Sequence, residues 1–342
     1  MKVFVSGGLG YIGSHTCVAL LEQGHDLVVV DNLSNATSDV KERIERIAGR
    51  SFSFYERDLR DRAQIFPLFE QERFDCIVHF AGYKAVGESV KDPLKYYENN
   101  LGTALTLLQA RARYGVRTFL FSSSATVYAP DNPMPLTEDM PLAATNPYGW
   151  SKLMIEQMIR DECHAHPQAT GVLLRYFNPI GAHPSGLLGE SPVGAPNNLL
   201  PYICQVAEGR LDQLRVFGND YDTPDGTGVR DYIHVMDLAE GHVAALEALQ
   251  KRSGLLTYNL GTGRGSSVLD LLRAFEAATG LSIAYQIARR RPGDMPCTLA
   301  DPSKAEKELG WKAKRSIEEA CASAWHFQQM AHAPHLEENG LS

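Results

Sequence analysis

Along the first half of the chain, short apolar runs alternate with stretches of helical periodicity. Residues 3–6 form an apolar run that ends in glycines, 27–30 reads Leu-Val-Val-Val, and 52–55, 76–80, 118–122 and 171–177 repeat the pattern. Between them, apolar residues recur at helical spacing over 11–23 (closed by Gly24), 39–48, a stretch from 61, 96–113 and 153–163. Apolar strands of about five residues, alternating with helices, predict a parallel sheet covered on both faces. After about residue 178 the pattern changes. Loops rich in Pro, Gly and Asn dominate 178–201 and 218–228, with shorter helices expected at 200–208, 237–249 and 268–279. No internal repeat or low-complexity tract interrupts the chain, and its last dozen polar residues are expected to fray.

At 342 residues the chain is long enough for one large domain or two ordinary ones. Hydrophobic residues are 44% and charged residues 22%, a balance that buries a sizeable core. A formal charge of −8 argues against a nucleic-acid surface, so an anionic ligand would need its own local arginines. The six cysteines (17, 76, 163, 204, 297 and 321) are scattered, with no CxxC and no His-Cys cluster. They read as reduced thiols of a cytosolic protein, and not as a disulfide or zinc framework. The apolar run Val3 to Val5 is too short for a signal peptide, and nothing approaches the roughly 18 apolar residues of a membrane span. These features predict a cytoplasmic protein with no membrane partner and no metal.

Gly7-Gly-Leu-Gly10-Tyr-Ile-Gly13 follows the first strand and opens the first helix. That is the setting of a dinucleotide-binding loop: room for a pyrophosphate, and helix N–H groups pointing at it. A tight strand-to-helix turn without a ligand is the plainer alternative. Asp31 ends the second strand, 24 residues after Gly7, where a carboxylate hydrogen-bonds an adenosine ribose and repels the 2′-phosphate of NADP. It predicts NAD, against the alternative of a turn acid before Asn32. The fold expectation is therefore α/β: a Rossmann-like, doubly wound parallel sheet over 1–177, then a smaller mixed α/β substrate unit over 178–342, with some segments crossing between them.

Tyr148 and Lys152 stand four apart in Asn146-Pro-Tyr-Gly-Trp-Ser-Lys. If the segment after Pro147 is helical, both side chains share one face. A free phenol, with a pKa of about 10, is too weak an acid to be ionised near neutrality, and an adjacent cation lowers such a value by about 1–3 units. That is the range a general base requires.

With these residues in hand, the chain resembles the extended short-chain dehydrogenase/reductase family, and within it the members that invert UDP-hexoses at C4. The resemblance runs from 6–15 to Trp311. It is carried by His79-Phe-Ala-Gly-Tyr-Lys-Ala-Val-Gly-Glu-Ser89, Ser122-Ser-Ser-Ala-Thr-Val-Tyr128 and Arg175-Tyr-Phe-Asn-Pro-Ile-Gly-Ala-His-Pro-Ser-Gly186. Pro196-Asn-Asn-Leu-Leu-Pro201 and Gly228-Val-Arg-Asp-Tyr-Ile-His-Val235 extend it.

The resemblance implies that Tyr148 is the catalytic base, that Lys152 binds the nicotinamide ribose and lowers the tyrosine pKa, and that Ser124 contacts the sugar 4-hydroxyl. It implies an NAD site lined by Gly7, Gly10, Tyr11, Ile12 and Gly13, by Asp31, Asn32, Leu33, Ser34, Asn35 and Ala36, and by Asp58 and Leu59. Phe80, Ala81, Gly82, Tyr83, Lys84, Asn99, Ser122 and Phe177 complete that lining. A UDP-hexose would be held by Asn178, Asn198 and Leu199, by Arg215, Val216 and Phe217, and by Arg230, Arg291, Pro292, Gly293 and Asp294. Thr298 would stand as a wall beside the sugar 2-substituent, where narrow members carry tyrosine, so N-acetylated UDP-hexosamines become candidate substrates. Phe217 suits stacking on uracil or plain core packing, and each arginine suits a diphosphate or a structural ion pair. His79, His183 and His234 lack metal-ligand spacing and read as packing or hydrogen-bonding residues.

The resemblance further implies a homodimer through the long helices at 96–113 and 153–163. Two departures are Ser6 in place of the usual threonine and Trp150 inside YxxxK. Three other activities share the fold: nucleotide-sugar 4,6-dehydration, UDP-glucuronate epimerisation or decarboxylation, and NAD-sensing regulation. A dehydratase needs an acid pair after the serine-cluster position, where this chain has Ala125 and Thr126; a regulator of this kind has lost the tyrosine.

Overall fold

A computed structural model describes residues 1–192, 194, 196–248, 253–291 and 293–331. The first half alternates β1 (Lys2–Ser6), α1 (Tyr11–Glu22), β2 (Asp26–Asp31), α2 (Asp39–Ala48), β3 (Ser53–Glu56), α3 (Arg62–Gln71) and β4 (Cys76–His79). It continues through α4 (Val86–Lys91), α5 (Pro93–Tyr114), β5 (Thr118–Ser124), α6 (Pro147–Ala165) and β6 (Thr170–Tyr176). The second half holds β7 (Asn178–Ile180), α7 (Leu199–Ala207), β8 (Leu214–Phe217), β9 (Val229–His234), α8 (Val235–Ala248) and β10 (Gly254–Leu260). Then come β11 (Gly265–Ser267), α9 (Val268–Thr279), β12 (Tyr285–Ala288), β13 (Cys297–Thr298), α10 (Ser303–Leu309) and α11 (Ile317–Ala331).

Seven parallel strands form the main sheet in the order β10-β6-β5-β4-β1-β2-β3. The alternation of buried residues explains why it is covered twice. Val3, Val5, Val29, Val78 and Leu120 join one apolar cluster with residues of α1 and α8. Phe4, Val28, Ile77 and Phe119, one register step away, join a second with residues of α3, α5 and α6. The strand order reverses at β1, which lies between β2 and β4, so a crevice opens beyond the carboxyl ends of those strands.

The doubly wound α/β class read from the sequence is the observed one. The seventh strand is new. Residues 254–260 follow a helix in the loop-rich half, yet they pair along their whole length with β6. The rest of that half builds a four-stranded sheet from β7, β9, β11 and β13, a β8–β12 pair, and an apolar core under α7, α9 and α11. Helices α4, α10 and α11 were also not legible, while Leu249 and the frayed terminal dozen lie outside the described residues, apart from Ala331 at the end of α11.

α6 starts six residues before the expected 153, and the reason is local. Asn146, in extended conformation, caps the helix by accepting the Gly149 N–H at 2.9 Å, and Pro147 takes the first position, where no N–H is needed. Tyr148 and Lys152 thus both lie on α6. One turn further along, Glu156 pairs with Arg175 of β6, Oε2 to Nη2 at 2.7 Å and Oε1 to Nε at 3.0 Å, with both side chains 1% exposed. Glu156 also accepts from Ser123 of β5, and Arg175 donates to the Glu138 carbonyl at 3.1 Å. Removing one member of such a buried pair costs about 3–5 kcal/mol, because the other charge is left uncompensated.

Candidate active site

At the crevice, β1 runs into the glycine loop. A Cβ at Gly13 would lie 2.3 Å from the Gly7 carbonyl oxygen, and one at Gly7, whose φ is +69°, would lie 2.6 Å from the Ala81 nitrogen. Only glycine lets the start of α1 close onto the loop and the loop onto the end of β4. The N-cap of α1 is Gly10, with no capping side chain and no acid in the first turn, so the positive end of the helix faces the crevice. Asp31 is buried; its carboxylate accepts the Leu9 N–H at 3.2 Å and the Leu33 N–H at 3.0 Å. Burial raises its pKa, against the pull of those backbone donors. Leu33 adopts φ +56°, the one non-glycine positive φ among the described residues, so the turn after β2 is held in a shape that its sequence does not favour.

The rest of the expected NAD lining collects around this loop. Asn32, Ser34 and Asn35 are exposed on the turn, with Ala36 half-buried beside them, and Asn32 accepts the Ser34 N–H. Asp58 is held below the usual carboxylate range by Arg60, and Leu59 is buried. Tyr11 donates from its phenol to the Gly181 carbonyl at 2.7 Å, and Ile12 packs against the core. Phe80 sits 5.0 Å from the His242 ring. Gly82 and Tyr83 are fixed by Asn100, which accepts the Tyr83 N–H at 2.8 Å and donates to its carbonyl at 3.1 Å, while Asn99 is buried beside it. An open helix N-terminus, glycines that no Cβ could replace and a buried carboxylate at the end of β2 fit a dinucleotide.

Ser122 and Ser124 close β5, and Tyr148 and Lys152 reach them from α6. Lys152 donates to the Ser122 carbonyl at 2.7 Å and lies 5.9 Å from the Tyr148 ring centre. Ser124 is hydrogen-bonded to the Tyr148 phenol, which lowers its pKa, but burial outweighs this and the net shift is upward. Burial also pushes Lys152 down to about 7, with Glu156 opposing. In the protein alone, desolvation governs both groups, and the ammonium donates to a carbonyl. Phe177 is buried against Val127, Tyr128 and Leu136.

On the second half, Arg230 of β9 pairs with Asp294, and Arg291 pairs with the same carboxylate at 3.0 Å while lying 4.9 Å over the Phe217 ring. Gly293 turns that segment at φ +75°. Thr298 pairs in register with Arg230 and is half-buried. Along β8, Arg215 is exposed and Val216 buried. Asn178 is exposed at the start of β7, and Pro292 lies outside the described residues. Asn198 precedes α7 and Leu199 without a side-chain cap bond, its amide turned instead to donate to Glu190 at 2.6 Å. Glu190 also accepts from Lys84 at 2.7 Å, so it joins the two halves. Glu190, Asn100 and Thr126 were not picked out from the sequence. For Asn100 the signal is a second amide in an otherwise packed helix; Glu190 is visible only through tertiary contacts, and Thr126 bonds Ser124 two residues before it but meets Gly149 only in the fold.

A profile of the NAD dependent epimerase/dehydratase family matches residues 3–261. The chain belongs to that family. The UDP-glucose 4-epimerase of Bacillus subtilis (strain 168) is 56% identical over 96% of this chain and 97% of its own length. The crystal structure of UDP-glucose 4-epimerase from Bifidobacterium longum in complex with NAD+ and UDP is 51% identical, with a TM-score of 0.93 over 97% of this chain and 99% of that one. The UDP-Glc/GlcNAc 4-epimerase of Campylobacter jejuni is 40% identical, with a TM-score of 0.84 over 96% and 99%. The NAD dependent epimerase/dehydratase fold thus extends over nearly the whole chain.

Four histidines around the crevice set a stability limit. Burial holds His15, His234 and His242 down to about 4 and His79 down to about 3, from an ordinary 6.5. His79 bonds Ser6, His234 bonds Ser323, and the more exposed His183 bonds Ser185. The four are neutral when folded, and the unfolded chain takes up protons first, so stability is full above pH 6.5 and falls as pH drops toward 4. Each is expected to contribute up to about 1.4 kcal/mol per pH unit in that window. Urea unfolding at pH 7.5 and pH 5 checks it; equal midpoints would contradict it.

Proposed function

We propose that this chain is an isomerase that inverts C4 of UDP-hexoses, interconverting UDP-glucose and UDP-galactose with NAD bound and not consumed. The convergence of Ser124, Tyr148 and Lys152 at the strand ends carries this reading, together with the glycine loop and Asp31 across the same crevice. The Bacillus and Bifidobacterium relatives bear the name of that activity, and the latter was crystallised with NAD+ and UDP. The family is NAD-dependent.

Held at the glycine loop and Asp31, oxidised NAD would supply the hydride acceptor, and then the donor, for substrate C4. The chain supplies the rest. Tyr148 takes the O4 proton and gives it back; Ser124 donates a hydrogen bond that favours the phenolate; Lys152, held to the Ser122 carbonyl 5.9 Å from the ring centre, is assigned to the nicotinamide ribose. Arg230 and Arg291 are assigned to the diphosphate, where bidentate contacts hold the UDP while the sugar turns. Asp294 holds both guanidiniums in place before ligand enters. With Ala125 and Thr126 after Ser124, the acid pair of a dehydratase is missing. Cofactor is assigned to 1–177 and nucleotide-sugar to 178–342, with α8 and β10 crossing back. No helix of the described residues is long and apolar enough to cross a membrane, and the six cysteines are free, which suits a cytoplasmic enzyme.

We also propose a homodimer. Leu94 and Leu105 lie eleven residues, or about three turns, apart on α5, and Trp150 and Met154 lie one turn apart on α6. All four are exposed, Leu94 to 75%, and the two helices pack together, so a second copy could complete a four-helix face. Leu105→Glu with Met154→Glu is expected to halve the mass seen by light scattering; an unchanged mass for both proteins rejects this face.

Purified protein is expected to convert UDP-galactose without added NAD. Tyr148→Phe keeps the ring, removes the proton acceptor, and is expected to lower kcat by about 10²–10⁴-fold while folding and copurified NAD persist. Accumulating NADH, or near wild-type turnover by Tyr148→Phe, would overturn the assignment. Thr298, smaller than a phenol ring, leaves space for an acetamido group, so the N-acetylated UDP-hexosamines are assigned as further substrates. A relative, that of Campylobacter jejuni, is named for both substrate types. Thr298→Tyr is expected to abolish that activity and spare UDP-galactose; equal turnover of the N-acetylated pair by both proteins refutes the wall.

A further inference from the structure

Ser124 ends β5 in extended conformation, and its hydroxyl has more than one neighbour. The Ser124 Oγ accepts the Thr126 backbone N–H at 3.2 Å and the Thr126 hydroxyl, Oγ1 to Oγ, at 3.0 Å. A serine hydroxyl has one proton to give and two lone pairs to accept with. Both lone pairs are engaged by one residue, which leaves Ser124 one proton to give, and a hydrogen bond from Ser124 lowers the pKa of the Tyr148 phenol.

The backbone around Tyr148 is arranged to keep Thr126 there. Gly149, the residue after Tyr148, faces Thr126: a Cβ on it would lie 2.8 Å from the Thr126 carbonyl oxygen and 3.4 Å from Oγ1. Without that Cβ, the first turn of α6 closes onto Thr126, and the tyrosine and the serine approach through it.

We propose that Thr126 is a positioning residue that makes Ser124 a hydrogen-bond donor only, so that the O4 proton passes directly to Tyr148 and is not relayed through the serine. A relay needs Ser124 to accept the substrate proton on a lone pair as it releases its own; Thr126 fills both. The same arrangement strengthens the donation to the phenolate, because a hydroxyl that accepts twice is a better donor. The proposal rests on the epimerase reading above. Other titratable groups near Tyr148 are Lys152 on its own helix, Tyr96 of α5 and Tyr176 of β6, with His79 of β4 beside Lys152. The Thr126 hydroxyl bonds Ser124, so its removal acts on Tyr148 through the serine, whereas a change in its bulk is felt at Gly149.

The test is the pH dependence of kcat/KM and the tyrosinate absorbance titration, taken as the difference from Tyr148→Phe. Thr126→Val, which keeps the shape and removes the hydroxyl, is expected to move both the kinetic limb and the spectral pKa upward by roughly one unit, a loss of about tenfold below the limb, with KM unchanged. Thr126→Ser is expected to behave as wild type. Should valine crowd Gly149, Thr126→Ala removes the hydroxyl without the bulk and is expected to give the same shift. In a Ser124→Ala background the effect of Thr126→Val should vanish, which a purely structural role would not predict. An unshifted limb in both hydroxyl-free variants, a serine variant as impaired as they are, or additive losses in the Ser124→Ala background would overturn the proposal. Wild-type turnover by Tyr148→Phe would instead remove the base itself, and Thr126's role with it.

Discussion

The site depends on a charge pair that never meets solvent. Glu156 and Arg175 are locked by two parallel hydrogen bonds in a place where neither could stand alone, and their remaining contacts reach β5 through Ser123 and the 129–146 segment through Glu138. This fixes how α6 lies on the sheet. Because Lys152 is one turn before Glu156, and Tyr148 one turn before that, the position of the base follows from the position of the pair. The same carboxylate also resists the fall in the Lys152 pKa that burial causes. Packing on this face and charge in the crevice are therefore set by one residue.

The crevice itself shows a division of rigidity. On the glycine-loop side the backbone is over-determined: Gly7 and Gly13 are in contact distances that admit no side chain, and Asp31 ties the loop to the turn after β2. On the far side, the arginines are held by a half-exposed loop carboxylate, Asp294, whose backbone turns at Gly293. A tight grip on a cofactor that must not leave, and an adaptable one on a nucleotide whose sugar must turn, need these two kinds of construction.

How much of this was legible depended on whether the signal was local. Buried parallel strands announce themselves as apolar runs, and the first six were found. β10 was not, because Gly254 to Leu260 follows a helix in a loop-rich half, and its partner β6 is more than 70 residues away in sequence. Tyr148 and Lys152 could be placed on one helix face from spacing alone. Their ionisation could not, since burial decides the direction at both groups, with Ser124 opposing it at Tyr148 and Glu156 at Lys152, and none of these is visible in a four-residue interval. Thr126 lay inside a motif read for its serines, and its place opposite Gly149 is a tertiary contact.

The seventh strand gives the molecule a history as well as a shape. β6 is fully buried along its length, and the edge it offers is covered only by β10, which is made some 80 residues later in synthesis. Until then a nascent chain carries a finished Rossmann-like half with an open, apolar strand edge, the kind of surface that seeks another strand to pair with. The long interval between the two partners raises the contact order of the sheet and places its closure late in folding. A fragment cut at the apparent boundary between the two halves would keep every residue of the glycine loop and of the Tyr-Lys pair, and would still lack the strand that makes the sheet whole.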